Sequence, residues 1–172
     1  MDIKIRKTNI SDLDSLMPIF DEARATIATL GIDQWQNGYP EREVIINDIS
    51  HSQSYLVELG GEIIATFALI LDGEPDYDHI FDGEWQSGDK NKSYIAMHRV
   101  AISVKCRGKG VSTSIVNYAV ERAKALGFKS VRIDTHKGNI VMRKMLSKHN
   151  FLHCGSIFLK SGAHRVAYER MV

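Results

Sequence analysis

Arg107-Gly108-Lys109-Gly110-Val111-Ser112 is the stretch on which the reading of this chain turns. It lies between a strand-like run, Tyr94 to Ile102, and a helix-like run, Val111 to Leu126. Two glycines and two cations, with no acid among them, stand where a strand hands over to a helix. Backbone N–H groups at a helix start lack intrahelical acceptors and carry the positive end of the helix dipole. Glycine lets an oxyanion approach that backbone closely. The segment reads as an anion cradle suited to a pyrophosphate.

Two common phosphate motifs do not fit. A nucleotide P-loop needs a glycine, four intervening residues, then Gly-Lys-Ser/Thr. Here position 103 is Ser and Gly108-Lys109 is followed by Gly110, so the pattern fails twice. A dinucleotide fingerprint needs a third glycine where Thr113 stands, and a loop after the first strand of its unit. This loop comes past the middle of the chain, behind several strand-like runs. The pattern that does fit is Arg/Gln-x-x-Gly-x-Gly/Ala after a strand, with Arg107 and Gly110 in place and Ser112 as a small departure.

Length and composition bound the rest. A chain of 172 residues suits one domain with a substantial core, spanning 1–172. A net charge of +1 gives no electrostatic case for nucleic acid as partner. No apolar run approaches the ~20 residues that span a membrane, and the N-terminal residues lack the apolar centre of a signal peptide. Two cysteines, Cys106 and Cys154, make no disulfide framework, so a cytoplasmic location is expected. His, Cys and carboxylates show no metal-ligand spacing, so no metal is expected.

Periodicity supplies the element order. Ile3 and Ile5 alternate with Lys4 and Arg6 as a short strand. Asn9 to Asp12 offers caps for a helix carrying Leu13, Leu16, Met17, Phe20 and Ala23 and ending near Leu30-Gly31. Ile32 to Pro40 is an aromatic, amide-rich loop, and a second helix runs from Glu41 to about Ile49. Gln53–Leu59 and Glu62–Leu71 form a hairpin across Gly60-Gly61. Asp72–Asn91 is a polar insert holding Tyr77, Phe81 and Trp85; loops of that length in a compact domain are usually functional. Tyr94–Ile102, the basic loop, the helix Val111–Leu126 and the strand Lys129–Thr135 make a βαβ unit with parallel strands. Gly127 is the C′ residue of that helix. Asn139 caps a helix to about His149, and Asn150 stands at its left-handed C-terminal position. Phe151–Lys160 and His164–Arg170 close the chain as a hairpin. The fold class is mixed α/β.

The loop pattern resembles the acetyl-CoA pyrophosphate loop of the GNAT N-acetyltransferase superfamily. A second family motif, Asn-x-x-Ala-x-x-Leu-Tyr-x-Lys-x-Gly-Phe, is met by the stretch Asn139 to Phe151. Asn139, Lys148 and Phe151 match it, Met142, Met145 and Asn150 are conservative changes, and Cys154-Gly155 follows as is common there. The resemblance covers roughly Tyr94 to Ser156; the N-terminal third agrees only in element order. It implies a GNAT-like fold: a central, mostly antiparallel sheet with one parallel, splayed strand pair and helices on both faces. It also implies acetyl-CoA as cosubstrate. Leu146 departs from the pattern, since the family's Tyr at that position is thought to protonate the departing thiolate. A thiol titrates near ~8.5, so departure without that acid is feasible.

The resemblance further implies roles. Val100, Ala101 and Ile102 would lie along the pantetheine arm, with the Val100 and Ile102 amides polarising the acyl carbonyl. Arg107, Gly108, Lys109, Gly110, Val111 and Ser112 would hold the pyrophosphate, and Asn139 would bond a pantetheine amide besides capping its helix. A neutral amine must attack, so a base is needed. His98 is the candidate: strand alternation puts it on one face with Val100 and Ile102, and imidazole titrates near ~6.5. Packing is its competing role; Arg99, on the other face, reads as structural. His136 and Asp134 are weaker candidates. Trp35, Tyr39, Tyr77 and Trp85 would line an apolar acceptor slot, and Asp76, Asp78, Asp82 and Glu84 would suit a cationic amine. The first reading is an enzyme acetylating the primary amine of a small molecule in a ternary complex. A non-catalytic acyl-CoA sensor, suggested by Leu146, and an acetyltransferase of protein amines are the alternatives. Oligomeric state, monomer or homodimer, is left open.

Overall fold

A computed structural model describes residues 3–88 and 92–172; the last three residues of the expected insert, 89–91, fall outside. Seven strands hydrogen-bond in the order β1-β2-β3-β4-β5-β7-β6. They are β1 Ile3–Lys7, β2 Ser54–Leu59, β3 Glu62–Ile70, β4 Tyr94–Ile102, β5 Ser130–Thr135, β6 Leu152–Phe158 and β7 His164–Met171. The helices are α1 Leu13–Ala28, α2 Arg42–Ser50, α3 Val111–Leu126 and α4 Ile140–Lys148. Strands β4 and β5 are parallel, while β1–β2, β2–β3, β5–β7 and β6–β7 are antiparallel. The parallel register runs from Tyr94↔Ser130 to Ala96↔Arg132, the first three residues of each strand. The mixed α/β class and the element order agree with the sequence reading, with ends shifted by at most three residues.

The chain forms two compact units, Met1–Leu69 with Arg99–Ile115, and Ile70–His98 with Val116–Val172. In the first, Leu13, Leu16, Ile19 and Phe20 of α1 pack with Ile45 of α2, Leu56 of β2 and Ala101 of β4. The helical spacing read from the sequence is the spacing of this buried face. Asp12 Oδ2 accepts the Asn9 amide at 2.8 Å, closing the N-terminal turn ahead of α1.

In the second unit the insert is folded. A 3₁₀ turn spans Pro75–Tyr77. Phe81 bridges to Ser156 of β6, each amide donating to the other's carbonyl at 2.8 Å. Tyr77 and Trp85 pack in the core with Tyr94, Ala96, Cys154, Ile157 and Ala167. A buried ion pair anchors this arrangement. Arg132 Nε donates to Glu169 Oε1 at 2.9 Å, with the side chains 2% and 0% exposed. Glu169 also accepts from the Ser130 hydroxyl at 2.6 Å and the Ser87 hydroxyl at 2.8 Å. The Arg132 guanidinium lies 4.2 Å from the Trp85 ring centroid and 4.0 Å from that of Tyr94. Phe128 N–H reaches the Ala123 carbonyl at 2.9 Å across Gly127, which ends α3 at φ +74°.

Burial pushes the Glu169 carboxyl up, but hydrogen bonds from Ser130, Arg132 and Ser87 outweigh it, and the net direction is down. A depressed carboxylate contributes stability that is present above its unfolded value, near 4.5, and is lost as pH falls through the folded value. Glu169→Gln leaves Arg132 buried without its counter-charge and is expected to cost about 3–5 kcal/mol at neutral pH. Urea melts at pH 7 and pH 4 check this: the gap between wild type and variant should narrow at the lower pH. Equal gaps at both would show that the carboxylate charge is not what stabilises.

Candidate active site

The basic loop belongs to the first unit. Gly108 and Gly110 adopt φ +75° and +81°, a conformation that side-chain-bearing residues rarely take. A Cβ placed on either would meet nothing within 4 Å, so the loop backbone faces open space, as a cradle for an oxyanion must. α3 begins at Val111 directly after it, with Ser112 in the first turn. Two residues of α1 hold the loop's approach: Glu22 Oε2 accepts the Val104 amide at 2.8 Å, and Thr26 Oγ1 accepts from Arg107 Nη2 at 2.5 Å. Arg107 is thereby tied to α1, while Lys109 is exposed.

Upstream, the Ser103 amide donates to the Ile64 carbonyl of β3 at 2.8 Å. Strand amides alternate in direction, so the Ala101 amide faces β3 while those of Val100 and Ile102 face away from it. The Ala101 side chain is core, 2% exposed. Arg99 breaks the pleat: its φ is +53°. The expectation that His98, Val100 and Ile102 share one face assumed unbroken alternation, and it is corrected here because a left-handed residue lies between His98 and Val100. Arg99 is structural, as expected. Its Nε and Nη2 grip Asp48 at 2.6 and 2.8 Å, and its Nη1 donates to the Tyr39 hydroxyl at 2.9 Å. Burial would lower the guanidinium, but Tyr39 and Asp48 outweigh it and the group stays charged. A left-handed non-glycine residue costs about 1–3 kcal/mol, and this three-way clamp offsets that cost. Trp35 stands edge-on to Phe20 and Tyr39, with centroids 6.2 and 6.1 Å apart. Both aromatics of the Ile32–Pro40 loop are therefore half-buried on the α1–α2 core, with the Tyr39 hydroxyl committed to Arg99.

The second unit gathers a different set. His98 lies between two carboxylates: Nε2 is 2.9 Å from Glu74 Oε2, and Nδ1 is 3.9 Å from Asp134 Oδ1. Glu74 Oε2 is within ion-pair distance of Nε2, a pair that is charged only when the ring is protonated, and the contact lies outside hydrogen-bonding geometry, so Nε2 has no aligned partner. Asp134 Oδ1 accepts the Tyr77 hydroxyl at 2.7 Å, and the Tyr77 ring lies 5.7 Å from that of His98. Asp76 belongs to the same acidic group: burial first, then the charges of Glu74 and Asp134, pushes its carboxyl up, against a Lys160 N–H that lowers it. Burial and the adjacent Asp134 hold the Tyr77 hydroxyl well above its ordinary range, so it stays protonated and a donor.

Several sequence expectations are revised. Tyr77 and Trp85 do not line an open slot; they are 2% and 8% exposed. The Trp85 N–H is used by the Tyr77 carbonyl at 3.0 Å and its ring covers Arg132, which is why it is core. Asp78, Asp82 and Glu84 are solvent-exposed. His136 Nδ1 accepts the Gly138 amide at 2.9 Å and so belongs to its own turn. Asn139 caps α4 by accepting the Met142 amide at 3.1 Å. Glu74, which the sequence reading did not single out, is in direct contact with His98. An acid beside Pro75 in a polar insert carries no mark that would have distinguished it.

Residues 17–151 match the Acetyltransferase (GNAT) family. The chain belongs to that family. It is an acyltransferase, and the family's acyl donor is acetyl-CoA. A GNAT-family acetyltransferase from Streptococcus agalactiae is 34% identical and superposes with a TM-score of 0.89, over 99% of this chain and 95% of the other. Two more distant structures share the fold, each at 17% identity. The PaiA N-acetyltransferase of Thermoplasma acidophilum, in complex with coenzyme A, has a TM-score of 0.74 with both chains covered in full. A GNAT-family acetyltransferase of Listeria monocytogenes has a TM-score of 0.73 over 99% of this chain and 95% of its own. No curated protein sequence matches the chain.

Leu146, at the position of the family's tyrosine, is 0% exposed. Leu146→Tyr must therefore fit a larger, polar side chain into a filled core, and about 1–3 kcal/mol of stability should be lost. A thermal melt reads this, and an unshifted midpoint would show room that the packing does not. At the loop, Gly110→Asp adds a negative charge and a side chain at φ +81°. Calorimetric titration with CoA should then show binding abolished, whereas unchanged affinity would remove the loop from the cofactor site.

Proposed function

We propose that residues 1–172 act as a single acetyltransferase domain, cytoplasmic, that moves an acetyl group from acetyl-CoA to the primary amine of a small-molecule acceptor. Direct attack in a ternary complex is the reaction. Acetyl-CoA, when bound, supplies an activated acyl group as its thioester. The residues that would hold it are the 107–112 loop, through first-turn amides and the Lys109 charge, with Asn139 as a further polar contact. The Val100 and Ile102 amides, turned away from β3, would donate to the acyl oxygen as charge develops on it.

The observation that carries the reading is the setting of His98. A base needs a lone pair in reach and a partner that fixes its ring. Asp134, itself held by Tyr77, lies on the Nδ1 side at 3.9 Å, beyond hydrogen-bond reach, and Nε2, 2.9 Å from Glu74, lacks an aligned partner. A Nδ1–H turned to Asp134 leaves the lone pair on Nε2, where an ammonium proton can be received. The acidic surroundings, Glu74, Asp76 and Asp134, favour a cationic acceptor over an anionic one.

Wild-type turnover is measured as CoA thiol release with n-butylamine, 1,4-diaminobutane and lysine amide. His98→Gln keeps size and polarity but takes no proton. With general-base help worth about 10²–10⁴-fold, kcat/KM should fall by that range while CoA affinity is kept. A variant with unchanged kcat/KM would make His98 a packing residue and leave proton removal to water.

A further inference from the structure

We propose that Glu74, carried by the insert, is the residue that meets the acceptor ammonium and passes its proton to His98. This rests on the reading of His98 as base. The buried Nε2 of His98 has its nearest charged group, Glu74 Oε2, 2.9 Å away, while the Glu74 side chain is 23% exposed and that of His98 17%. The carboxylate is the more exposed of the two and is the group that attracts a cation. Behind the ring stands Asp134, 10% exposed, with its Oδ1 taking the Tyr77 hydroxyl. The four groups form a chain of contacts with falling exposure: Glu74, His98, Asp134, Tyr77.

Glu74 is fixed in that chain of contacts through its backbone. Its amide donates to the Tyr94 hydroxyl at 3.0 Å, and the same hydroxyl lies 3.3 Å from its carbonyl oxygen as donor. The side chain also accepts from the Asp76 amide at the start of the 3₁₀ turn. A residue held at three points in a polar insert is placed to a degree that a solvated surface acid is not.

The proton account closes without another reactant. The ammonium N–H proton moves to Glu74 Oε2 and, with the ring turned to bring Nε2 into line across their 2.9 Å contact, on to His98 Nε2, leaving the nitrogen lone pair free. That pair forms the C–N bond, the now cationic nitrogen gives a second proton to water, the C–S bond breaks, and the thiolate leaves with its electron pair and takes up a proton from solvent. The imidazolium returns its proton to solvent after product leaves.

Two groups in series behave as one in a double-mutant cycle. Glu74→Gln, His98→Gln and the double variant are assayed with the amine of the three above that wild type uses best, each checked for CoA affinity and thermal midpoint. Each single variant should lower kcat/KM by about 10²–10⁴-fold, and the double variant should fall no further than the worse single one. Glu74→Asp, which keeps the charge, should retain more activity than Glu74→Gln.

Three results would overturn the inference while leaving the proposed function standing. One is wild-type kcat/KM in Glu74→Gln beside a fallen His98→Gln. Another is a double variant whose loss is the product of the single losses. The third is Glu74→Asp no better than Glu74→Gln. Wild type that binds acetyl-CoA yet acetylates none of the three amines would overturn the small-amine reading itself, and this inference with it.

Discussion

The guanidinium of Arg132 lies between the rings of Trp85 and Tyr94 and against the Glu169 carboxylate, and the second unit is arranged around it. Ser87 ties the insert to the same carboxylate through both its amide and its hydroxyl, and Gln86 Nε2 donates to the Glu169 carbonyl at 2.8 Å. Tyr94, stacked on Arg132, then holds the Glu74 backbone, and Glu74 lies against His98. The physical path from a buried ion pair to a candidate catalytic group is therefore three contacts long. Such a pair often adds little net stability over apolar residues of the same volume, because desolvation of both charges offsets their attraction. Its importance here is positional: it is the fixed point from which the polar insert is hung.

Local signals in the sequence were enough for the elements and for the conformation of the basic loop. The 107–112 stretch, the cap at Asn139 and the left-handed Asn150 at φ +60° are each determined by residues close in the chain. The same holds for the alternating strands and the α1 face. What sequence could not convey is which distant residues meet. Glu74 and His98 are brought together by the folding of the insert, and Asp134 joins them from β5. Trp85 looked like a binding aromatic because exposure cannot be read from residue type. The cation that buries it, Arg132, is a residue type that is almost never fully buried unless paired. His98 was singled out by strand alternation with Val100 and Ile102, a period that Arg99 at φ +53° interrupts.

β4 shows why a two-residue period is a weak guide near a site. Arg99 at φ +53° interrupts the pleat and is held there by Asp48 and Tyr39. Left-handed non-glycine residues persist only where surrounding contacts over-determine them. The clamp reaches from the strand to α2 and to the aromatic loop at once, so the same guanidinium ties the Ile32–Pro40 loop to the path of β4 into the basic loop. A family departure such as Leu146 is a different matter: it is a core position here, and its loss of a hydroxyl is matched by complete burial.

The bridge between Phe81 and Ser156 has a consequence for the solution behaviour of the chain. β6 is the last strand in the sheet order, so one side of it has no strand neighbour. Such a rim of N–H and C=O groups is a template on which a second polypeptide can add. Phe81 occupies the Ser156 amide and carbonyl with its own. The insert thus blunts the rim in mid-strand, where an intruding strand would otherwise find its continuous register. The insert is in this way also a guard against self-association into extended β assemblies.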